Sequence, residues 1–595
     1  MPRAVAAGTN LSGVWGLSLQ DIGATWCVAQ QLTADVKALA GDLRLPLLVA
    51  RVLINRGLRE NESADRFLNP SPAHLESPFA FQHMDRAVNR VIGALQRNEK
   101  VLVQGDYDVD GSASAALLLN CLRMLGANAQ ASIPVRSTDG YGLHERVVRE
   151  ASQNGVKLLI TCDNGTSAVK EITLARELGI DTIITDHHTV PPVLPPAHAV
   201  LNPHVADEKL AFKDLCGAGV AFKLSTALLE RTSNGHIQKP ARDFLEGAQS
   251  LVAMAAIADV VPLTGENRVL TRFGLRLMPD SPNPGIRALM EIAALTRVPT
   301  GTDVGFKLAP RLNAGGRLGR ETLALEILTA PSYGDAVRLV QESDTLNRRR
   351  QQIDREHTRI ASDMVHADAS YANDRVLVVG HDDFHAGVVG IVAARLTEAF
   401  NKPAVLIAMT GDSGRGSGRS VPGFHLYNAL NECSHLLKRF GGHEQAAGLE
   451  ITRENLGLLR RAVNDVAERH VMNADYATPT LDIDAEISLS ELDLAAVEVL
   501  QQMEPFGEGN PEPVFSARNV EVTATPRVVG RGTGHLSLLV RQAGGPAFKA
   551  IGFGMGAQAT EISRGARLRL AFSPIINEFR GSRDVELSLK AIRRE

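Results

Sequence analysis

Five short apolar runs between residues 101 and 204, "VLVQGDYD", "ASIPVR", "LLITCDNG", "TIITDHH" and "AVLNPH", each end in polar residues and alternate with helical stretches such as 111–126 and 167–179. Strands and helices in strict alternation predict a parallel α/β sheet. Ligands of such sheets bind beyond the carboxyl ends of the strands. Asp106, Asp108, Asp110, Asp163 and Asp186 to His188 all fall at those ends, so residues far apart in sequence are expected to converge on one edge.

That edge is acidic enough to need a cation. At an effective dielectric near 20, two like charges about 4 Å apart repel by roughly 4 kcal/mol, and "GDYDVDG" carries three aspartates in five residues. Taken singly, Asp110 ahead of "GSASAALLL" also reads as a helix N-cap, and Asp163 in "TCDNGTSAV" as a turn residue. "TDHH" sets imidazole beside carboxylate, the mixed donor set of first-row divalent metals. Asp259, in "MAAIADVVPL", is an acid among apolar residues and needs a partner or a metal. An oxygen-rich site with one or two His suits Mn²⁺ or Mg²⁺ better than thiolate-bound zinc, and two ions about 3.5–4 Å apart would satisfy five carboxylates.

The remaining chain divides by pattern. Residues 1–45 are weakly patterned, carry Trp15 and Trp26, and suggest no role; 46–334 hold the sheet region. Residues 335–368 have apolar residues at helical spacing without Gly or Pro, predicting one long charged helix. A second αβ lobe is expected over 369–472, running through the glycine-rich "GDSGRGSGRS" to "FGGHEQAAGL". From about 515, within a terminal domain set at 473–595, consecutive strands separated by Gly-containing turns predict a small β-barrel of OB type.

A length of 595 residues with 44% hydrophobic content allows several cores, and a net charge of −4 confines any nucleic-acid surface to local patches. Five cysteines without a CxxC pair fit neither a disulfide framework nor a zinc site. No apolar run approaches the roughly 18 residues of a spanning helix. The reading is a soluble, unexported, cytoplasmic protein.

In order, "GDYDVDG", "TCDNG", "TDHH" and "AAIADVVPL" resemble the four motifs of the DHH phosphoesterase superfamily. With "MDRAVNRVIGAL", "STDGYGLHERVV", "ENRVLTRFGL", "KLAPRLNAGGRLG", "LNRRRQQID", "HAGVVGIVAARL" and "GSGRSVPGFHLYNAL", the resemblance narrows to the RecJ family of bacterial 5′-to-3′ exonucleases specific for single-stranded DNA, over most of residues 46–595. It implies a DHH domain, a DHHA1-like lobe and a nucleic-acid-binding barrel. It also implies two Mn²⁺ or Mg²⁺ ions and release of mononucleotides in DNA repair and recombination. Asp108 would bind one ion and Asp110 the other, Asp163 would bridge them, and His187 with Asp259 would complete the coordination of the second ion. His188 would face the scissile phosphate or order the site, and Asp186 would orient a His. Many superfamily members have a His where this chain has Gln104, and Asp106 would substitute for it.

For substrate, Arg311 and Arg317 flank small residues that let backbone approach a phosphate chain, and Ser417 with Arg419 beside four glycines forms an anion nest with charge-assisted donors. The resemblance places a 5′-phosphate pocket there, with Arg136 as partner. His443 either holds the second lobe together or touches substrate. Phe384-His385 stands where relatives often have Trp-His. In the barrel, Arg531, His535, Lys549 and Arg580 either line an oligonucleotide groove or are simply solvated. Single-stranded DNA with a 5′-phosphate is the expected partner, a helicase or single-strand-binding protein a further one, and a monomer the expected state. The rival readings are another DHH phosphodiesterase, acting on short oligonucleotides or cyclic dinucleotides, and a non-catalytic replication scaffold.

Overall fold

The structure, a computed structural model, describes residues 24–30, 33–136, 140–470, 480–530, 534–579 and 581–595. The chain divides into two compact units, one of residues 66–350 with 504–511, the other of 1–65, 351–503 and 512–595. These divisions fall elsewhere than the sequence boundaries at 45/46 and 334/335.

The first unit is organised by a five-stranded, all-parallel sheet in the order Asn128–Ser132, Lys100–Gln104, Val156–Cys162, Asp181–Thr185, Ala199–Leu201. Both faces are covered, which is why the strands read as unbroken apolar runs. Leu158 and Ile160 enter one core with Met84, Val88, Leu118 and Val252, whereas Leu159 between them enters the other with Val147, Ile172 and Ala175. The helix Val109–Met124 starts two residues before its expected position because Asp108 caps it, accepting the Gly111 N–H at 2.9 Å. The N-cap is therefore Asp108, and Asp110 lies in the first turn.

The long helix spans Tyr333–Ala367, within two residues of the expected bounds, and the unit division falls inside it. Beyond it a second sheet has the order Leu437–Gly442, Ala446–Thr452, Ser413–Arg419, Ala404–Thr410, Leu377–His381, with only the last pair parallel. The glycine-rich stretch read as an anion nest is thus the middle strand of this sheet. A Cβ on Gly414 would sit 2.6 Å from Ile407 Cγ2, and one on Gly418 would sit 2.7 Å from Leu426 Cδ2. The glycines let the core approach one face, while Ser417 and Arg419 alternate onto the other.

The C-terminal strands close a barrel. Phe515–Val522 pairs with both His535–Gln542 and Arg567–Phe579, and Ala547–Gly552 lies parallel to Ser582–Arg594, the connectivity of an OB-fold. Residues 24–30, which suggested no role, join this unit. Thr25–Val28 pairs in parallel with Thr480–Ile483, and the Trp26 ring lies 5.0 Å from the Arg569 guanidinium and 4.7 Å from that of Arg593. Trp15, Arg531 and Arg580 lie outside the described residues. Among the described residues no helix is long and apolar enough to cross a membrane.

Candidate metal centre

The strand order reverses between Lys100–Gln104 and Val156–Cys162, and the crevice beyond their carboxyl ends is the natural ligand position. Asp106, Asp108 and Asp110 follow the first of these strands, and Asp163 follows the second. Asp110 is buried, and both its oxygens accept N–H bonds from the start of the helix Gly217–Thr232: Oδ2 from Gly217 and Oδ1 from Ala218, each at 2.7 Å. Gly217 is required here, since a Cβ would lie 2.7 Å from Asp163 Cβ and 3.1 Å from Asp110 Oδ2, filling the space between the two acids. Asp163 adopts a left-handed φ of 63°, a conformation that Asp and Asn reach far more readily than branched residues.

His187 reaches into this group. Its Nε2 lies 3.0 Å from Asp163 Oδ1, 3.5 Å from Asp259 Oδ2 and 3.7 Å from Asp110 Oδ2. Burial, then the charge of His188, pull its pKa down to about 4, so the ring stays neutral with a lone pair to donate. Asp259 terminates the helix Lys239–Ala258 and its side chain is 28% exposed, less buried than its apolar neighbours in sequence imply. A C-terminal helix position opening onto the crevice explains the difference.

Asp186 is saturated by the chain itself. It accepts N–H bonds from Thr166 at 2.9 Å, His187 at 2.8 Å and His188 at 3.2 Å, and its Oδ1 lies 2.8 Å from His188 Nδ1. Burial opposes ionisation, but the His188 bond and charge, with the Thr166 bonds, hold this carboxyl well below the usual range. For His188, burial works downward and is outweighed by Asp186, with Asp259 and Asp110 adding to it, pushing the pKa up to about 9. Tyr141 completes the cluster: its hydroxyl donates to the Asp163 carbonyl at 2.8 Å and lies 3.1 Å from His188 Nδ1. In sequence it stands between two glycines within the stretch "STDGYGLHERVV", with nothing else to mark it as part of the site.

These residues fit a divalent cation. Asp110, His187 and Asp259 offer ligand atoms within 4.8 Å of one another, as do Asp163, His187 and His188. Asp106 is buried, and its Oδ1 has no hydrogen-bond partner among the described residues. Burial and then neighbouring aspartates raise the carboxyl groups of Asp106 and Asp163 well above their ordinary value, Asp110 to about 7 and Asp259 to about 8.

These shifts set a testable sign. From pH 6.5 to about 9 the folded chain, without metal, holds protons on Asp110, Asp259 and His188 more tightly than the unfolded chain does, so stability falls as pH rises through this window. His187, depressed to about 4, works in the opposite direction until its unfolded form has lost its proton, at about pH 7.5, and above that leaves the decline unopposed. Saturating Mg²⁺ favours the ionised carboxylates and should remove their share of the decline. Urea unfolding midpoints in EDTA and in Mg²⁺ across this range measure it; the same slope in both would contradict the carboxylate assignment.

The substrate candidates divide. The Arg136 guanidinium lies 5.0 Å from the Tyr107 ring, and Gly316, one residue before Arg317, comes so close that a Cβ would sit 3.0 Å from the Tyr107 carbonyl. Both arginines therefore stand at the acid loop. Burial and then Asp106 push the Tyr107 hydroxyl up to about 12, against the opposing charges of Arg136 and Arg317. Arg311 pairs with Asp344 of the long helix at 2.9 Å and donates to the Lys307 carbonyl. Its stretch is a helix over Ala309–Arg317 after a π-helical turn, Val304–Leu308.

Ser417, Arg419 and His443 belong to the other unit. Arg419 Nη1 donates to Ser417 Oγ at 3.1 Å, and a Cβ on Gly390, in the first turn of the helix Val389–Phe400, would lie 3.0 Å from that Oγ and 3.2 Å from Arg419 Nη2. A serine, an arginine and a helix N-terminus thus meet at one place. His443 is exposed in a hairpin loop, its Nδ1 accepting the Gln445 N–H at 3.3 Å.

The sequence matches three domain families: the DHH family N-terminal domain over residues 100–252, the DHHA1 domain over 373–469 and the RecJ OB domain over 483–591. It is 34% identical over 567 residues to the single-stranded-DNA-specific exonuclease RecJ of Dickeya dadantii, covering 92% of this chain and 96% of the relative. It is 32% identical over 578 residues to that of Escherichia coli, covering 94% and 97%. Among solved structures, RecJ of Thermus thermophilus in complex with Mn²⁺ superposes with a TM-score of 0.81 at 29% identity, over 96% of this chain and 80% of that one. The Mg²⁺ complex gives 0.76 at 27% identity, over 97% and 79%.

Proposed function

The chain belongs to the RecJ family of single-stranded-DNA-specific exonucleases, and from that premise we propose that it hydrolyses single-stranded DNA from the 5′ end at the Asp106–Asp259 cluster, using Mn²⁺ or Mg²⁺. The observation that carries the site assignment is the meeting of Asp110, Asp163, His187 and Asp259 at the point where the sheet order reverses. Asp110, His187 and Asp259 would hold one ion, and Asp106, Asp108 and Asp163 would serve a second. Bound divalent cations supply an acidified water for attack and positive charge against the phosphoryl oxygens. His188, fixed through Nδ1 by Asp186, turns its Nε2 edge to the scissile phosphate. Arg136 and Arg317 hold the strand beside the acid loop.

Polarity follows from the end of the strand. A terminal 5′-phosphate carries more charge than an internal diester, and Ser417, Arg419 and the N-terminus of the helix Val389–Phe400 offer donors for it. Such charge-assisted bonds are each worth roughly 1.5–3 kcal/mol. Arg419→Ala should therefore reduce the preference for 5′-phosphorylated over 5′-hydroxyl strands by about 10- to 100-fold. Parallel initial rates on the two substrates at fixed ionic strength test it. If both slow equally, Arg419 adds only general attraction; an undiminished preference places recognition of the end elsewhere.

The OB barrel favours long strands over short oligonucleotides or cyclic dinucleotides, with His535 and Lys549 on its surface as groove candidates; Lys549 is paired with Glu586 at 2.9 Å. The same reading places the enzyme in cytoplasmic DNA repair and recombination, as a monomer beside a helicase or single-strand-binding protein.

A further inference from the structure

Residues 504–511, "EPFGEGNP", group with residues 66–350 although the chain on both sides of them belongs to the barrel-bearing unit. The segment is a closed loop. Gly507 and Asn510 exchange backbone bonds at 2.9 and 3.2 Å, and the buried Asn510 side chain donates to the Pro505 carbonyl at 2.8 Å. It meets the chain that follows Asp259. The Leu263 N–H donates to the Glu508 carbonyl at 2.8 Å, and a Cβ on Gly509, whose φ is 66°, would lie 3.0 Å from Pro262 Cβ. On its other side the Phe506 carbonyl comes so close to Gly301 that a Cβ there would sit 2.5 Å from it.

Between Leu263 and Asp259 lies Val260, with a φ of 59° and a side chain open to solvent. A β-branched residue in the left-handed region is strained and persists only where its surroundings over-determine it. Three glycines at the contact and a backbone bond to Leu263 are that over-determination. No catalytic role explains so close a fit of one loop against the residues that follow a metal-site carboxylate.

We infer that the loop Glu504–Pro511 is a positioning element for Asp259, holding Val260–Leu263 so that the carboxylate stays on the His187–Asp110 side of the crevice. The inference rests on the reading of Asp259 as a metal ligand. Its consequence is that one ion depends on a segment far downstream of that ligand in the chain, and this ion should be lost first when the loop is disturbed.

Two variants of the full chain test it. Gly301→Ala forces the Phe506 carbonyl away, and Asn510→Ala opens the loop without adding bulk. Mn²⁺ binding to the DNA-free protein, followed by calorimetry and by the electron paramagnetic resonance of free Mn²⁺, is the readout. The expected result is weakening of one of two Mn²⁺ ions by about 10- to 100-fold, as for other groups that orient a ligand, with the second ion unchanged and hydrolysis restored by excess Mn²⁺. A folded variant that binds both ions as the parent does overturns the inference, as does equal weakening of both ions, which marks a general loss of structure. If the parent itself binds no Mn²⁺, the metal reading fails instead. Should Gly301→Ala not fold, Asn510→Ala decides alone.

Discussion

Asp163→Asn is expected to fold as the parent does and to lose hydrolysis on the order of a thousandfold or more, about 4 kcal/mol of transition-state stabilisation. The folding half rests on the backbone. Asp163 has a φ of 63°, and asparagine is among the few residues that adopt this region at little cost. Alanine would add strain there and confuse the result. The catalytic half rests on charge: the side chain is buried 3.0 Å from His187 Nε2 and beside Asp110 across the space that Gly217 leaves open. The amide retains the shape but not the negative charge that the proposed pair of cations would require. Circular dichroism and urea midpoints establish the fold, and initial rates with Mn²⁺ establish the loss. Near-parental turnover would remove Asp163 from the centre of the account.

Gly111→Ala should be as damaging for a steric reason. A Cβ on Gly111 would sit 2.4 Å from the Asp106 backbone nitrogen and 2.7 Å from its Cα and Cβ. No flexible side-chain end is available to yield, so the acid loop itself must move, and overpacking of this kind costs roughly 1–3 kcal/mol or more. Asp106, Asp108 and Asp110 would be displaced together, and hydrolysis should fall with stability. Gly41→Ala is the matched control. That glycine lies in the helix Thr33–Leu43 with nothing within 4 Å of the added carbon, so the change should stabilise by about 0.5–1 kcal/mol and leave hydrolysis intact. Parental activity in Gly111→Ala would show that the loop tolerates a shift the packing forbids.

Where the acids would gather was legible because the signal is local. A strand buried on both faces must be apolar until it ends, so Gln104-Gly105-Asp106, Cys162-Asp163 and Thr185-Asp186 mark the carboxyl edge of the sheet without any knowledge of tertiary contacts. The long helix was legible for the same reason. What escaped the sequence depends on partners far along the chain. Glycines at 414, 416 and 418 read as part of an anion nest, whereas they belong to a strand, with the apolar side chains of Ile407, Leu426 and Leu449 pressed against them. Arg311, read as a phosphate contact, also pairs with Asp344 of the long helix, a partner its own stretch does not announce. Nothing near Thr25–Val28 announces that it pairs with Thr480–Ile483, and nothing in "EPFGEGNP" announces Leu263. Tyr141 was missed because a tyrosine between glycines has no distinguishing pattern; its role emerges only from the 2.8 Å bond to the Asp163 carbonyl.

Removal of nucleotides from the 5′ end of single-stranded DNA by a metal-charged acid cluster can be observed directly. The most direct measurement uses a long 5′-phosphorylated strand labelled at either end, single-stranded or annealed to its complement, in Mn²⁺ or in EDTA. The 5′ label is expected to appear first as mononucleotide, from the single strand only and in Mn²⁺ only, while the 3′ label stays in long products. Release of the 3′ label first, or equal release in EDTA, would contradict it.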